Sequence, residues 1–416
     1  MACAAAAALL LSGCSQRGSE GGGDAAAAGC KGQDTTGITK DSIKLGGIYP
    51  LSGPASAYGD IGAGVRTYFD YMNAEKGGID GRKIDYTIRD DGYLPPKAVE
   101  ESRRLIEQDR VFALFQTLGT PSTTAVREYA NQRKVPQVFV ATGASKWGTG
   151  TKQFPWTIGW QPNYVSEARV YAQYLDENEP KAKVAVLYQN DDFGKDLFSG
   201  FTEAIKGTDI EVVAEESYEV TDPTVEPQVN NLAKSGADVF LDITTPKFGS
   251  QALAAEAAQT DWDPLHIVNN VSSSPTVLEP VGYDKVQDIV SATFYKDPSD
   301  PQWADDPAMK VYKEKMAKYA PKADSNIPYF AFGWSAAESF HKALDQMDCP
   351  TREGLMKSVR DLQGEEVGML LPSVTLNTAK DDGFPIESMQ LMRFKGERWQ
   401  LFGDVIDTRS EYGPVE

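Results

Sequence analysis

The sequence predicts an α/β protein made of two lobes, each built on a parallel β-sheet with helices on both faces. Short apolar segments alternate with stretches whose apolar residues recur at helical spacing. This alternation occurs in two successive runs along the chain. The length agrees with this class, because 416 residues are too many for one ordinary core and suit two lobes with a cleft between them.

The first run of elements occupies residues 42–141. A buried strand is predicted over residues 42–49, where apolar residues precede Pro50. The next apolar residues lie on one helix face, at positions i, i+4, i+8 and i+11, and are Ile61, Val65, Phe69 and Met72. Gly77 and Gly78 end that helix. After a turn at Asp80-Gly81, the pattern predicts strands over 84–88, 111–115 and 138–141 and helices that begin at Pro95 and Pro121.

The second run occupies residues 184–268 and repeats the alternation. Predicted strands cover residues 184–187, 211–214, 239–243 and 266–268, and predicted helices cover residues 193–206, 225–235 and 249–259. After a further strand at 289–294, the pattern predicts helices over 307–319, 332–347 and 351–362 and short strands within 389–402. Two α/β units in one chain imply a groove between them.

Charge and residue types argue against several classes of function. The chain has 41 Lys+Arg against 60 Asp+Glu, and the resulting net charge of -19 would repel phosphate backbones, so we expect no nucleic-acid partner. His266 and His341 are the only histidines in the sequence and stand far apart. No nucleophile elbow or phosphate-binding loop occurs in the sequence. We therefore expect no metal, no cofactor and no enzymatic activity, and we interpret Asp90-Asp91 and Asp191-Asp192 as turn and cap residues.

The first 14 residues resemble a lipoprotein signal peptide. A run of small apolar residues, too short to span a bilayer, leads to Leu11-Ser12-Gly13-Cys14, which is similar to a bacterial lipobox with Cys14 as the lipidated residue. The Lys/Arg residues that usually precede such a run are missing. Either the true start codon lies upstream, or the lipobox match is weaker evidence for export than its sequence implies.

Residues 15–40 are rich in Gly, Ser and Ala, and they predict a flexible tether because they cannot bury enough apolar surface to fold. Apart from Cys3 in the leader and Cys14, the cysteines are Cys30 and Cys349. In an exported protein, two remaining cysteines favour a disulfide, although two free thiols are the alternative.

Several short motifs, taken in their order, resemble those of one family of binding proteins. They are Leu51-Ser52-Gly53-Pro54 with Tyr58-Gly59-Asp60, residues 73–81, Asp90-Asp91, residues 190–194, residues 134–148 and residues 154–162. On these motifs, the chain from about residue 43 to residue 402 resembles the leucine/isoleucine/valine-binding group of type I periplasmic binding proteins. Residues 134–162 are similar to a branch of the family in which some members bind aromatic or other hydrophobic carboxylates instead of amino acids.

The resemblance implies two Rossmann-like lobes joined by a three-strand hinge, with crossovers near Gly159, Ser291 and Gly364. Lobe one would comprise residues 41–160 plus 291–363, lobe two residues 161–290 plus 364–403, and residues 404–416 would form a C-terminal tail. The family's role implies a monomeric, lipid-anchored receptor on the outer face of the cytoplasmic membrane. It would close around a small-molecule solute and deliver it to the permease and ATPase subunits of an ABC importer. A receptor that senses the solute and signals to a membrane partner shares this fold and stays open as an alternative.

The end of the strand at 111–115 offers a site for a carboxylate. Thr117 and Leu118-Gly119-Thr120 lie between that strand and the helix at Pro121, with Thr120 as the expected N-cap. The free N–H groups and the positive dipole end of a helix N-terminus suit an anion, although ordinary capping explains the same residues. Ala141-Thr142-Gly143 follows the next strand and should face the same crevice.

Aromatic candidates come from the resemblance. Tyr58 and Phe193 match positions that line the ligand in the family, and each is alternatively a core residue. Trp147, Trp160 and Tyr164 are further aromatic candidates.

The lobe-two candidates indicate the class of solute. Two pairs of residues, Thr244-Thr245 and Asn269-Asn270, follow strands of lobe two and should contact the far end of the solute. Amino-acid-binding relatives carry an acid for the ligand ammonium near the position of Asn269 or Asn270, where this sequence has amides. We therefore expect a hydrophobic or aromatic carboxylate. A branched-chain amino acid is the alternative if Asp242 or another acid reaches the ammonium.

Overall fold

The computed structural model describes Cys30 and residues 33–415. The predicted signal peptide, the lipobox with Cys14 and most of the predicted tether lie outside the described residues. Lobe one contains a five-stranded sheet in the order β2-β1-β3-β4-β5, and all neighbouring strands in it are parallel. These strands are β1 (Ser42–Tyr49), β2 (Lys83–Asp90), β3 (Ala113–Phe115), β4 (Gln137–Val140) and β5 (Thr157–Gly159).

Lobe two contains a seven-stranded sheet. The remaining strands of the chain are β6 (Lys183–Gln189), β7 (Glu211–Tyr218), β8 (Val239–Ile243), β9 (Leu265–Val268), β10 (Val290–Thr293), β11 (Gln363–Glu366), β12 (Thr375–Asn377), β13 (Ser388–Lys395) and β14 (Arg398–Asp407). The sheet order is β14-β13-β10-β9-β8-β6-β7, parallel except where β13 pairs with β10 and β14. β11 and β12 form a separate two-stranded sheet.

Helices connect and cover the two sheets. They are α1 (Gly59–Tyr71), α2 (Pro95–Arg103), α3 (Thr120–Gln132), α4 (Tyr164–Asn178), α5 (Asp192–Ala204), α6 (Glu226–Leu232), α7 (Pro246–Glu256), α8 (Pro275–Leu278), α9 (Pro307–Tyr319), α10 (Pro328–Asp345), α11 (Arg352–Ser358) and α12 (Thr408–Tyr412). Two parallel sheets with helical layers in two lobes confirm the predicted fold class.

Helix α10 returns to lobe one after the last parallel strand of lobe two and packs against α1. Glycines permit the close approach of these two helices. A Cβ on Gly64 would lie 2.1 Å from the Phe330 carbonyl oxygen, and one on Gly333 would lie 2.0 Å from the Ile61 carbonyl oxygen. As a result, the first turn of α10 reaches the space between the lobes, where it contributes to the site described below.

Each of the three predicted crossover residues lies in a β-strand. Gly159 is the last residue of β5, Ser291 lies within β10, and Gly364 lies in β11 with a φ of +69°. Helix α10 begins at Pro328, four residues before the predicted start, because proline is favoured in the first helical turn. Helix α11 ends at Ser358, before the predicted end at residue 362.

The structure differs from the expected tether and C-terminal tail. Ile38 is buried and bridges to Ile43, and Asp34 pairs with Arg352, so residues 33–40 pack onto lobe one instead of extending a flexible tether. The apolar contact and the ion pair act together with backbone hydrogen bonds from Arg352 to Asp34 and from Lys44 to Gly37. At the other terminus, β14 continues to Asp407 and α12 follows, with Thr408 fully buried.

Candidate functional site

A cavity of about 40 Å³ lies between the two lobes. Sixteen residues line it, and none of these described residues carries a charged side chain. They are Tyr58, Ile61, Tyr93, Leu118, Gly119, Thr120, Ala141, Gln161, Tyr164, Phe193, Thr245, Asn270, Val271, Tyr295, Tyr329 and Phe332. Seven of the sixteen are aromatic, so the walls are mainly apolar, with a few hydroxyl and amide groups among them.

Two tyrosines of lobe one reach across the cavity to lobe two. Tyr58 and Tyr329 pack edge to face with ring centroids 5.4 Å apart, and their hydroxyls donate to the Val271 carbonyl oxygen at 3.2 and 3.0 Å. Burial raises the pKa of both tyrosines well above its usual range, so the hydroxyls stay protonated and act as donors. These bonds hold the lobes together at the edge of the cavity.

The N-terminus of α3 borders the cavity through a glycine. Gly119 has a φ of +88°, and an added Cβ would lie 2.4 Å from Cε2 of Tyr93, so only glycine fits this turn. Helix α3 starts at Thr120 and its N-cap is Gly119, with no side-chain capping bond. The prediction of Thr120 as N-cap is therefore wrong. Because positive φ at this position favours glycine, the cap lies one residue earlier than the Thr-Pro pattern suggests.

The Thr120 hydroxyl bonds to the Thr142 hydroxyl at 2.6 Å, which fixes it at the cavity wall. The Gly119 N–H is already used, since it donates to the Ala141 carbonyl at 3.2 Å. Pro121 has no N–H. The free donors of the first turn are therefore the backbone N–H groups of Thr120 and Ser122.

Three candidates from lobe one support the site without lining it. Thr142 Oγ1 accepts hydrogen bonds from Trp147 Nε1 at 3.2 Å and from the Ala144 N–H at 3.3 Å. Thr117 is buried and its hydroxyl accepts from Gln137 Nε2 at 3.1 Å. The Gly143 carbonyl accepts from the Tyr164 N–H at 2.7 Å. Each of these groups fixes a neighbour instead of facing the cavity.

In lobe two, the structure brings one residue of each predicted pair to the cavity. Thr245 lines the cavity, whereas Thr244 is fully buried below it. Asn270 also lines the cavity, whereas both polar side-chain atoms of Asn269 lack a hydrogen-bond partner among the described residues. Thr245 has an extended backbone, in which consecutive side chains point in opposite directions, so only one of Thr244 and Thr245 faces the cavity.

The buried acid Glu167 fixes the position of Asn270 on the side away from the cavity. The Asn270 backbone N–H donates to Glu167 Oε1 at 2.6 Å, and its side-chain Nδ2 donates to the Ala292 carbonyl at 2.5 Å. Burial raises the pKa of Glu167 to about 7, although the bonds from Asn270 and Tyr171 act in the opposite direction. Glu167 does not line the cavity, and one of its carboxylate oxygens, Oε1, accepts hydrogen bonds from the Asn270 N–H and the Tyr171 hydroxyl.

Asp242, which the sequence analysis considered as a partner for a ligand ammonium, also lies away from the cavity. Asp242 lies in β8, where its side chain is fully buried 3.4 Å from His266 Nε2, and burial raises its pKa. Among the sixteen described residues that line the cavity, no carboxylate is therefore available for an ammonium.

Of the sequence candidates, Tyr58, Leu118, Gly119, Thr120, Ala141, Phe193, Thr245 and Asn270 line the cavity. Tyr164 does so as well, with its ring centroid 5.0 Å from that of Phe193, whereas Trp147 and Trp160 are buried inside lobe one. The lining residues that the sequence analysis missed are Ile61, Tyr93, Gln161, Val271, Tyr295, Tyr329 and Phe332. The position of Tyr93 could have been predicted from the sequence, because Tyr93 follows the Asp90-Asp91-Gly92 turn at the carboxyl end of a parallel strand, where ligands bind.

Cys30 and residues 33–415 contain no grouping of three His, Cys, Asp or Glu side chains that could share a metal ion. In the same part of the chain, no helix combines the length and the apolar character needed to cross a membrane.

A family model described as periplasmic binding protein matches residues 42–398. The chain belongs to this family. The match confirms the resemblance that the motifs of residues 43–402 indicated. Within the family, the curated Leu/Ile/Val-binding protein homolog 7 of Brucella suis is 26% identical over 262 residues, which are 61% of this chain and 65% of that protein. The alignment thus spans just under two thirds of the length of this relative.

Solved structures support the fold at lower identity. A fatty acid ABC transporter substrate-binding protein from Thermomonospora curvata superposes with a TM-score of 0.78 at 23% identity, covering 92% of this chain and 97% of that one. A branched chain amino acid ABC transporter protein from Thermus thermophilus with bound valine gives a TM-score of 0.78 at 16% identity, covering 90% and 100%. Both are type I periplasmic binding proteins with two lobes, as here.

Proposed function

We propose that this periplasmic binding protein is the extracytoplasmic receptor of an ABC importer and captures a hydrophobic or aromatic carboxylate by closure of its lobes. The observation that carries the proposal is the cavity itself, which combines aromatic walls with hydrogen-bond donors and has no carboxylate on its lining. A site of this composition favours an apolar anion over a zwitterion.

The carboxylate end of the solute is assigned to lobe one. The first turn of α3 offers the Thr120 and Ser122 N–H groups and the positive end of the helix dipole. The Thr120 hydroxyl, held by Thr142, is a further donor at the same wall. Charge-assisted hydrogen bonds of this kind are strong in a site from which water is excluded.

The absence of an acid on the lining disfavours an α-amino acid. An ammonium buried without a negative partner costs several kcal/mol. Glu167 and Asp242 do not supply that partner, because neither lines the cavity and each already contacts another residue, Asn270 and His266 respectively. The two structural relatives differ in ligand, since one is described as a fatty acid transporter protein and the other contains valine. The choice between the two solute classes therefore rests on this lining.

Closure is part of the proposed mechanism. A space of about 40 Å³ holds about three water molecules, so a carboxylate of the proposed class enters only when the lobes separate. Binding then stabilises the closed form to the extent that the solute contacts both lobes. A monomeric receptor of this kind would present the closed, loaded form to the permease.

Isothermal titration with matched pairs of ligands tests the solute class. Phenylpropanoate with phenylalanine, isovalerate with valine and isocaproate with leucine differ within each pair only in the α-ammonium group. We expect the acid of at least one pair to bind about tenfold or more tightly than its amino acid, because the ammonium would be buried unpaired. Tight binding of valine or leucine with no response to the acids would overturn the proposal.

Lipid anchoring is a separate part of the proposal and rests on Leu11-Ser12-Gly13-Cys14, outside the described residues. Cys14→Ala should leave the precursor unlipidated and shift it from the detergent phase to the aqueous phase in phase partitioning. Cys3→Ala is the matched control and should partition like the parent. Equal partitioning of the parent and Cys14→Ala would contradict the anchor.

A further inference from the structure

A second and larger space, the outer vestibule, lies at the mouth of the cleft and measures about 460 Å³. Its apolar walls come from both lobes, with Ala55 and Leu94 on one side and Val220, Pro223 and Phe248 on the other. Tyr93 and Thr245 line both the vestibule and the inner cavity. The two spaces are therefore adjacent and share a boundary formed by these side chains.

Tyr93 stands at that boundary in a constrained backbone conformation. Its φ is +63°, a region that is costly for a residue with a bulky side chain, and its ring is packed against Gly119. The side chain is only 5% exposed. A strained backbone conformation persists only where the surrounding structure holds the residue in place. Tyr93 is held in this way between the inner cavity and the vestibule.

The vestibule contains a cation that forms no ion pair among the described residues. Lys247 lies 4.5 Å above the Phe248 ring centroid, and its amino group donates to the Asp222 backbone carbonyl at 3.2 Å. The Asp222 carboxylate accepts instead from the Glu219 N–H at 2.8 Å. Lys97, on the opposite wall, differs because its amino group is paired with Asp90 at 3.0 Å. Within the described part of the chain, Lys247 is thus the unpaired positive charge of the vestibule, which it lines together with Asp222.

We infer that the outer vestibule is a second subsite, which takes the distal end of an elongated solute, and that Lys247 pairs with an anionic group there. The inference rests on the proposed function, since the first carboxylate of the same solute occupies the inner cavity. It defines the substrate class as an apolar chain or ring system with a carboxylate at each end. The apolar walls between Tyr93 and Lys247 would cover its middle.

A length series of straight-chain monocarboxylates and the α,ω-dicarboxylates of the same lengths tests the inference by titration calorimetry. In the parent protein, we expect the dicarboxylates to gain about tenfold in affinity over their monocarboxylate partners once they are long enough to reach Lys247, because a charge-assisted bond forms there. Lys247→Gln should abolish that gain and leave monocarboxylate affinity unchanged. Lys234→Gln, an equal change of charge on an exposed residue of lobe two, should retain the gain.

Each contrary outcome has its own meaning. Monocarboxylates that bind with no gain for any dicarboxylate would overturn the second subsite and leave the proposed function standing. An equal loss for both series in Lys247→Gln would overturn the assignment of Lys247 to a second anion, because it would then hold the only carboxylate. Binding of valine or leucine alone, with no response to either series, would overturn the proposed function and the subsite together.

Discussion

At the scale of single residues, Gly119 combines a positive φ of +88° with a contact that leaves no room for a side chain. Gly119→Ala should lower the free energy of unfolding by about 1 to 3 kcal/mol for the backbone conformation and by a similar amount for displacing the Tyr93 ring. Because Tyr93 and Gly119 line the cavity, the same change should weaken solute binding. Urea denaturation and titration calorimetry measure the two effects.

Gly207→Ala is the matched control for this prediction. Gly207 has a φ of +86°, but an added Cβ would meet no atom within 4 Å. The control therefore carries the conformational cost without the clash and should leave binding unchanged. Equal destabilisation by the two variants would show that the Tyr93 contact contributes nothing.

His266 predicts a pH dependence of stability. Burial would lower its pKa, but hydrogen bonds and charge from Asp242 and Glu256 outweigh that effect and raise the pKa to about 9, above the ordinary value of 6.5. The folded protein therefore holds this proton more tightly than the unfolded chain does. The resulting stabilisation is fully present below about pH 6.5 and is lost as the pH rises through about 9.

We expect the free energy of unfolding to fall between pH 6.5 and 9 in the parent protein and to fall less in His266→Gln. His341→Gln is the control, because burial lowers the pKa of His341 below its ordinary value, away from this pH range. Denaturant titrations at a series of pH values give the slopes. A parent slope that His266→Gln leaves intact would refute the assignment.

The sequence predicted part of the site because ligands bind beyond the carboxyl ends of the strands of a parallel sheet. Residues just beyond strand carboxyl ends face the crevice, which placed Leu118, Gly119 and Ala141 correctly near the cavity. The same rule does not fix which of two consecutive residues points inward, so Thr244 and Thr245 were both expected at the solute although only Thr245 lines the cavity. Tyr329 could not be found this way, because its position depends on the return of α10 to lobe one.

At the scale of elements, the segment before β1 is fixed to lobe one by a disulfide between Cys30 and Cys349, whose Cα atoms are 5.7 Å apart. Arg352 at the start of α11 adds an ion pair to Asp34 at 2.7 Å and donates to the Val111 carbonyl at 2.7 Å. The chain end, the α10–α11 loop and the residues before β3 are thereby joined at one place.

The disulfide should contribute about 2 to 4 kcal/mol, because it restrains a long loop of the unfolded chain. Cys30→Ser with Cys349→Ser should lower the free energy of unfolding by that amount in urea and leave solute affinity unchanged, since neither residue lines the cavity. Thiol labelling of the natively exported, denatured parent should detect no reactive cysteine from this pair. Labelling of both residues would rule the bond out.

Element boundaries were predicted best where apolar periodicity and a proline coincide. Helix α9 starts at Pro307 and ends at Tyr319 as expected. The predictions failed where the deciding partner is distant in sequence. Residues 33–40 carry little apolar surface of their own, and they are ordered through Ile43 and Arg352. Strand β14 passes the expected end at Phe402 because its edge pairs with β13 as far as Asp407.

At the scale of the whole molecule, polar groups link the lobes at the rim of the cleft. The Ser145 hydroxyl donates to Asp196 Oδ1 at 2.9 Å, and the Ser145 N–H donates to the other oxygen of this carboxylate. Lys146 forms an ion pair with Asp192 on the same helix, α5. With the Tyr58 and Tyr329 bonds to Val271, these contacts hold the closed arrangement.

Two lobes and a cleft follow from chain length and repeated elements, but these contacts do not. They depend on the angle between the lobes, which local sequence patterns do not encode. Ser145, Lys146 and the α5 acids appear in sequence only as surface-type residues near helix starts. Their role in closure becomes visible once both lobes are placed.

Asp196→Ala should therefore favour the open form. It removes two hydrogen bonds between the lobes from a partly buried carboxylate, while the hinge, the cavity lining and the Lys146–Asp192 pair are retained. Each such bond contributes about 0.5 to 1.5 kcal/mol, so the solute dissociation constant should rise by about fivefold or more. Small-angle scattering of the unliganded variant should show a larger radius of gyration than that of the parent, and saturating solute should restore the compact form.

Asp209→Ala, a change to an exposed acid of lobe two, controls for the change in charge and should match the parent in both measurements. An Asp196→Ala protein with unchanged radius and unchanged affinity would show that Ser145 and Asp196 do not stabilise closure.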